Sequence, residues 1–295
     1  MAVLGQGGNQ SDEGRGPLAI ICGGGSLPLA VADVVAGRGR RVVLFPLRGW
    51  ADPAAIARYP HHWIGLAQIV RLQRLARREG CRELVFIGAV LRPSPRQLRP
   101  DFGTLRLLPR IVRLFWGGDD NLLTGIGRLF EEEGFRLLGA HDVAPEILVP
   151  AGALGRVHPT PRDLADIARG LSLIAATGPF DIGQAVVVAD NRVLAVEAAE
   201  GTDHMLARVA ELRREGRIGL PEKVGVLVKA PKPGQDRRLD LPSIGARTVV
   251  GAAAAGLAGI AVEAEGTIAA DLQDVIRAAD AAGLFIFGAR GNGSS

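Results

Sequence analysis

The feature that most constrains this chain is a repeated alternation. Short runs with almost no polar side chain are followed by segments whose apolar residues recur at helical spacing. In the first half the runs are Leu18–Cys22, Val42–Leu47, Leu84–Val90 and Phe135–Leu138. Between them, helices are expected over Pro28–Ala36, around Ile69, Leu72, Leu75 and Ala76, and over about Leu105–Trp116 and Leu122–Glu133. A strand that is apolar throughout reads as buried on both faces, and its alternation with helices argues for a parallel sheet covered by them. The pattern therefore predicts an α/β fold, with a Rossmann-like, doubly wound first half.

Pro145, Pro150, Gly152, Gly155, Pro159 and Pro161 crowd one connection, so the domain boundary is placed at 150/151. This divides the chain into a tail (1–16), an N-terminal domain (17–150) and a C-terminal domain (151–295). The second half opens with a helix near Arg162–Thr177. A hairpin follows, Ala185–Ala189 and Val193–Ala198 across Asp190-Asn191. Thr202 is expected to cap a helix reaching Arg214. Then come strand Val224–Val228, a Lys/Pro-rich loop, a helix, strand Ile260–Ala264, helix Leu272–Ala282 and strand Leu284–Phe287. A hairpin joined to strand–helix units makes this a second α/β domain with a mixed sheet.

Chemistry concentrates in LVKAPKPGQDRRLDLPSIG, Leu227 to Gly245. The chain has three lysines, Lys223, Lys229 and Lys232, and every other cation is Arg. A compact ammonium is thus confined to one place. Asp236 and Asp240 stand beside Lys229 and Lys232. Cations for an anion and carboxylates for a hard metal together suit phosphate chemistry. Two more polar segments sit at strand ends of the same half: DIGQ (Asp181–Gln184) and EGTD (Glu200–Asp203). Gln184, Thr202 and Asp203 are candidates there, because strand ends of α/β sheets carry ligands.

In the first half, GGGSLP (Gly23–Pro28) follows a strand and opens a helix. Gly24, Gly25 and Ser26 could present backbone N–H groups to an anion. The run half-matches a dinucleotide fingerprint, with Pro28 in the third glycine position. Arg48, at the end of the second strand, keeps an NADP-type reading open. Asp119-Asp120 precede a helix as caps or ligand contacts, and His141-Asp142 follow a strand. The stretch RLFEEEGF (Arg128–Phe135) is out of register for a Nudix box and reads as a helix end. No G-x-S-x-G elbow and no Cys/His cluster are present.

Composition excludes further classes. A pI of 9.6 comes from a net charge of only +4. No basic block is interleaved with aromatics, so no nucleic-acid partner is expected. Such a chain suits an anionic substrate or an anionic membrane face. Two cysteines, Cys22 and Cys81, have neither disulfide nor metal spacing, which points to a reducing cytoplasm. The Gly-rich start lacks an apolar signal-peptide core and is expected to be disordered. The longest apolar stretch, Val249–Val262, is too short to span a bilayer.

Taken together, IICGGGSLP, GDDNLL, GAHDV, DIGQAVVV, AVEAAEGTDHML and KAPKPGQDRRLDLPSIG resemble the UDP-2,3-diacylglucosamine pyrophosphatase family of lipid A biosynthesis, in the form unrelated to the calcineurin-like enzyme. The resemblance runs from about Leu18 to Gly288, with Cys22 where the family usually has Ala. It implies a Mg²⁺-dependent hydrolase splitting UDP-2,3-diacylglucosamine into UMP and 2,3-diacylglucosamine 1-phosphate. It also implies two domains with substrate between them, a homodimer, and a cytoplasmic protein that visits the inner-membrane surface. By position, Asp240 in R-x-D-L-P matches the family's essential carboxylate, as catalytic group and metal ligand, with Lys229 and Lys232 beside it. Gly24, Gly25, Ser26, Asp119, Asp120, His141, Gln184, Thr202, Asp203 and Gln235 map to binding positions. The competing class is an NADP-type oxidoreductase or a non-catalytic sugar-nucleotide-binding protein, which has no use for the Lys/Asp loop.

Overall fold

The computed structural model describes residues 15–90, 100–104 and 119–291. Most of the expected tail and the expected helix Leu105–Trp116 lie outside these residues. The described residues pack as two units, one holding 15–90, 100–104 and 128–138, the other 119–127 and 139–291.

The first unit is built on four parallel strands: β1 (Leu18–Cys22), β2 (Val42–Pro46), β3 (Glu83–Ile87) and β4 (Arg136–Leu138). Their order is β2-β1-β3-β4. The direction of winding reverses between β1 and β3, so this is a doubly wound sheet with its switch point there. β1 is fully buried. Helix Leu27–Gly37 covers it with Val31, Ala32 and Val35, and helix Ile69–Arg78 buries Leu72 and Ala76. β3 stops earlier than the apolar run to Val90 suggests. Gly88 turns with φ +102, and Ala89 pairs with Gly24 instead of extending the strand. Cys22 and Cys81 are buried free thiols. Burial pushes the Cys22 thiol up to about 12 and that of Cys81 up to about 11, so neither supplies a thiolate.

The second unit is a six-stranded mixed sheet. It comprises β5 (Gly152–Leu154), β6 (Ala185–Ala189), β7 (Arg192–Val196), β8 (Val226–Lys229), β10 (Gly259–Glu263) and β12 (Phe285–Ala289). The order is β5-β12-β10-β8-β6-β7, with β8, β10 and β12 parallel and each remaining pairing antiparallel. A two-stranded ribbon, β9 (Ser243–Ile244) with β11 (Ile268–Ala269), lies apart from it. Helix Pro161–Thr177 covers one face through Ile167 and Ile174. Helices Gly201–Arg214, Ala246–Ala254 and Leu272–Ala282 cover the other. The expected hairpin turn is present, with Asp190 at φ 52 and Asn191 at φ 60, the left-handed pair that a two-residue hairpin requires. Buried Asp166 fastens it by accepting from both backbone amides, at 3.0 and 2.6 Å.

Two expectations need correction here. β5 falls inside the Pro/Gly-rich connection that reads as loop, because a three-residue edge strand has too little pattern to register. β8 starts at Val226, not Val224, since Gly225 adopts φ +104. It also runs one residue further, so that Lys229 is a strand residue and not a loop one.

Candidate active site

The direction of the strands assembles the site. Lys229 ends β8, and Ala185, its partner, opens β6. Val186 lies opposite Val196, so β7 leaves where β6 begins. Gln184, Glu197 and Lys229 therefore meet at one end of strands β6, β7 and β8, where the loop after β8 begins.

Lys229 is 8% exposed. Its Nζ donates to Thr202 Oγ1 and to the Ser243 carbonyl, each at 3.0 Å. Burial pushes its pKa below the ordinary lysine value, while Glu197, Asp203 and Asp240 push back. Asp240 is gripped from two sides. Its Oδ2 accepts from Gln184 Nε2 at 2.8 Å and from Gln235 Nε2 at 2.5 Å. Gln235 is itself held by the loop, since its Oε1 accepts from the Lys232 backbone N–H at 3.1 Å. Lys232, also 8% exposed, bonds Asp181 through Nζ. Asp181 can meet it because it sits at φ 55 in the turn after helix Pro161–Thr177.

The structure thus brings together Lys229, Thr202, Gln184, Gln235 and Asp240, with Lys232 on the same loop. The capping role expected of Thr202 is overturned. Glu200 stands at the N-cap of helix Gly201–Arg214, and the Thr202 hydroxyl donates to Glu197 Oε1 at 2.7 Å. Thr202 is the second residue of the helix, so it lies past the position from which a side chain caps. Asp203, in the first turn of that helix, pairs with Arg247 at 2.5 Å. Asp236 is taken by Arg238, whose Nε and Nη2 reach it at 3.0 and 2.8 Å. That pairing, with a smaller contribution from His141, holds its carboxyl below the usual range. His141 lies in a short helix, Ala140–Val143, not in a loop. Among the described residues its buried Nδ1 has no hydrogen-bond partner, and Nε2 is 3.5 Å from Asp142.

Gly24, Gly25 and Ser26 belong to the first unit. Gly24 exchanges two backbone hydrogen bonds with Ala89, at 2.8 and 3.0 Å. Gly25 is exposed at φ +88. Ser26 stands at the N-cap of helix Leu27–Gly37 without a side-chain bond to it. Arg48 lies over the Trp63 ring at 6.0 Å. Asp119 and Asp120 open helix Asp119–Glu131, which starts three residues before the expected Leu122. Their side chains lie outside what is described. Sequence reasoning missed Glu197 and Asp181. Both sit inside segments singled out for other residues, and both became visible only through their partners.

Among the described residues, no group of three or more His, Cys, Asp or Glu is placed to hold a metal. Asp240 is the carboxylate here that could contribute to a Mg²⁺ site, since that ion is commonly held through one or two carboxylates together with substrate phosphates and water.

Comparison with known proteins decides the family. The LpxI N-terminal domain matches residues 17–147 and the LpxI C-terminal domain residues 150–287. The chain belongs to the LpxI family. A relative, the UDP-2,3-diacylglucosamine pyrophosphatase LpxI of Caulobacter vibrioides, is 44% identical over 271 residues, covering 92% of this chain and 96% of the relative. Among solved structures, the biotin carboxylase domain of Hydrogenobacter thermophilus 2-oxoglutarate carboxylase aligns with 68% of this chain and 41% of its own, at 13% identity and a TM-score of 0.22. A likeness at that level carries no argument, and the LpxI family match rests on sequence.

Proposed function

We propose that this chain hydrolyses the diphosphate bond of UDP-2,3-diacylglucosamine, releasing UMP and 2,3-diacylglucosamine 1-phosphate, with Mg²⁺ as cofactor. The LpxI family match supports the reaction. The observation that carries it onto these residues is the pairing, at one end of strands β6, β7 and β8, of a buried ammonium with a carboxylate held by two amides. A diphosphate resists attack because its oxygens repel the nucleophile. Lys229 and Lys232 lower that charge, and more strongly in a buried site than in water. Water adds to phosphorus, the P–O–P bridge breaks, and the bridge electrons leave on the departing phosphate. Asp240 orients the water or takes its proton, and Gln184 and Gln235 fix the direction in which the carboxylate points. Asp240 would also hold Mg²⁺, which when bound would supply charge neutralisation.

On this reading the protein works as a homodimer in the cytoplasm and meets its acylated substrate at the inner-membrane surface. No helix among the described residues is long and apolar enough to cross a membrane. The test is UMP release by purified protein with Mg²⁺. UDP-2,3-diacylglucosamine should be cleaved, EDTA should stop the reaction, and added Mg²⁺ should restore it. Cleavage of simple UDP-sugars only, or of nothing, would sink the substrate assignment.

A further inference from the structure

We infer that Glu197 is a positioning residue for this site, one carboxylate that sets both the ammonium of Lys229 and the carboxylate of Asp240. The inference rests on the hydrolase reading above. Glu197 directly follows β7, and each of its oxygens has a task. Oε1 accepts from the Thr202 hydroxyl at 2.7 Å, and Oε2 accepts from the Gln184 backbone N–H at 3.0 Å.

The first bond settles a direction. A hydroxyl has one proton and two lone pairs. With the proton drawn to Glu197, only lone pairs face Lys229 Nζ, 3.0 Å away. Thr202 thus becomes a pure acceptor for the ammonium. Thr202 and the Ser243 carbonyl hold two of its three protons, and among the described residues no hydrogen bond takes the third. The second bond anchors the segment entering β6, from which the Gln184 side chain reaches Asp240 at 2.8 Å. Backbone bonds reinforce it, Gly183 N–H to the Glu197 carbonyl at 3.1 Å and Glu197 N–H to the Ala185 carbonyl at 2.8 Å. The packing there is close. A Cβ at Gly183 would stand 2.7 Å from both Cγ and the carbonyl oxygen of Glu197. One side chain therefore ties together Thr202, in the helix after β7, and Gln184, in the segment before β6.

The experiment measures kcat/KM and thermal unfolding on full-length Glu197→Gln, Thr202→Val and the double variant. Glu197→Gln keeps the shape and removes the charge, so the hydroxyl is free to turn. A hydrogen bond to a charged group is worth roughly a 10- to 100-fold change in rate, and each single variant should lose about that much. If Glu197 acts through Thr202, the double variant loses little more than the worse single one. Thr202→Ser, which keeps the hydroxyl, should recover most of what Thr202→Val loses. Additive losses, or a Glu197→Gln enzyme as fast as wild type, would overturn the inference while leaving the hydrolase reading intact. Wild-type protein that releases no UMP would instead remove the hydrolase reading. Should Glu197→Gln not fold, Glu197→Asp takes its place in the cycle. It retains the charge but is one methylene too short to serve both partners, and full activity in it would equally refute the positioning role.

Discussion

Gly25→Ala tests whether the glycine loop of the first unit is an anion site or a turn. Gly25 sits at φ +88, and a Cβ there would meet nothing within 4 Å. The cost of Ala is therefore conformational, about 1–2 kcal/mol for a left-handed residue, or roughly 4–16 °C in melting temperature for a small unit. Gly23→Ala is the contrast. Its Cβ would stand 2.6 Å from the carbonyl carbon and oxygen of Gly88 and 2.8 Å from that of Ala89, all backbone. No rotamer relieves that clash, and moving β1 from β3 also endangers the two Gly24–Ala89 hydrogen bonds. Overpacking and two lost bonds give roughly 3–5 kcal/mol. Gly25→Asn separates the remaining roles, because Asn tolerates positive φ yet puts a side chain where an anion would approach. Melting curves and KM for UDP-2,3-diacylglucosamine are measured on the same preparations. The expected result is the stability order wild type, Gly25→Asn, Gly25→Ala, Gly23→Ala, with KM raised in both Gly25 variants. Unchanged KM in both would return the loop to a turn. An undisturbed melting temperature in Gly25→Ala would refute the backbone argument itself.

Three further outcomes are expected. Asp240→Asn should lower kcat by about 10²-fold or more while the melting temperature stays within a few degrees, because the charge acts mainly in the transition state; a near-normal rate would move the role to another carboxylate. Lys229→Arg should restore activity poorly relative to wild type, since a planar fork does not fit between Thr202 Oγ1 and the Ser243 carbonyl; full activity would make Lys229 a generic charge. Burial lowers the pKa of Lys229, and on the proposed mechanism the working form is the protonated one, so kcat/KM should fall as pH rises through a value below that of an ordinary lysine; a profile flat to strongly alkaline pH would contradict this.

Much of the fold was legible because burial on both sides leaves a continuous apolar run, and that signal is local. β1, β6 and helix Leu272–Ala282 have the bounds the pattern predicts, and Asp190-Asn191 announces its own hairpin. The Lys/Pro loop was equally legible, since confining every lysine to ten positions is a property of the chain alone. The use each side chain makes of its neighbours was not legible. Thr202 before a helix reads as a cap, but Glu200 takes the N-cap position, and the Thr202 hydroxyl donates instead to Glu197 just after β7. Gln184 and Asp240 lie 56 residues apart in sequence, and their bond depends on β6 and β8 running antiparallel side by side. Sequence determines which segments must be buried and which residue types stand ready at their ends, because hydrophobicity and turn chemistry act over a few residues. Tertiary structure decides which of those ends meet, because a hydrogen bond reaches only about 3 Å and the strand order alone brings two distant residues that close.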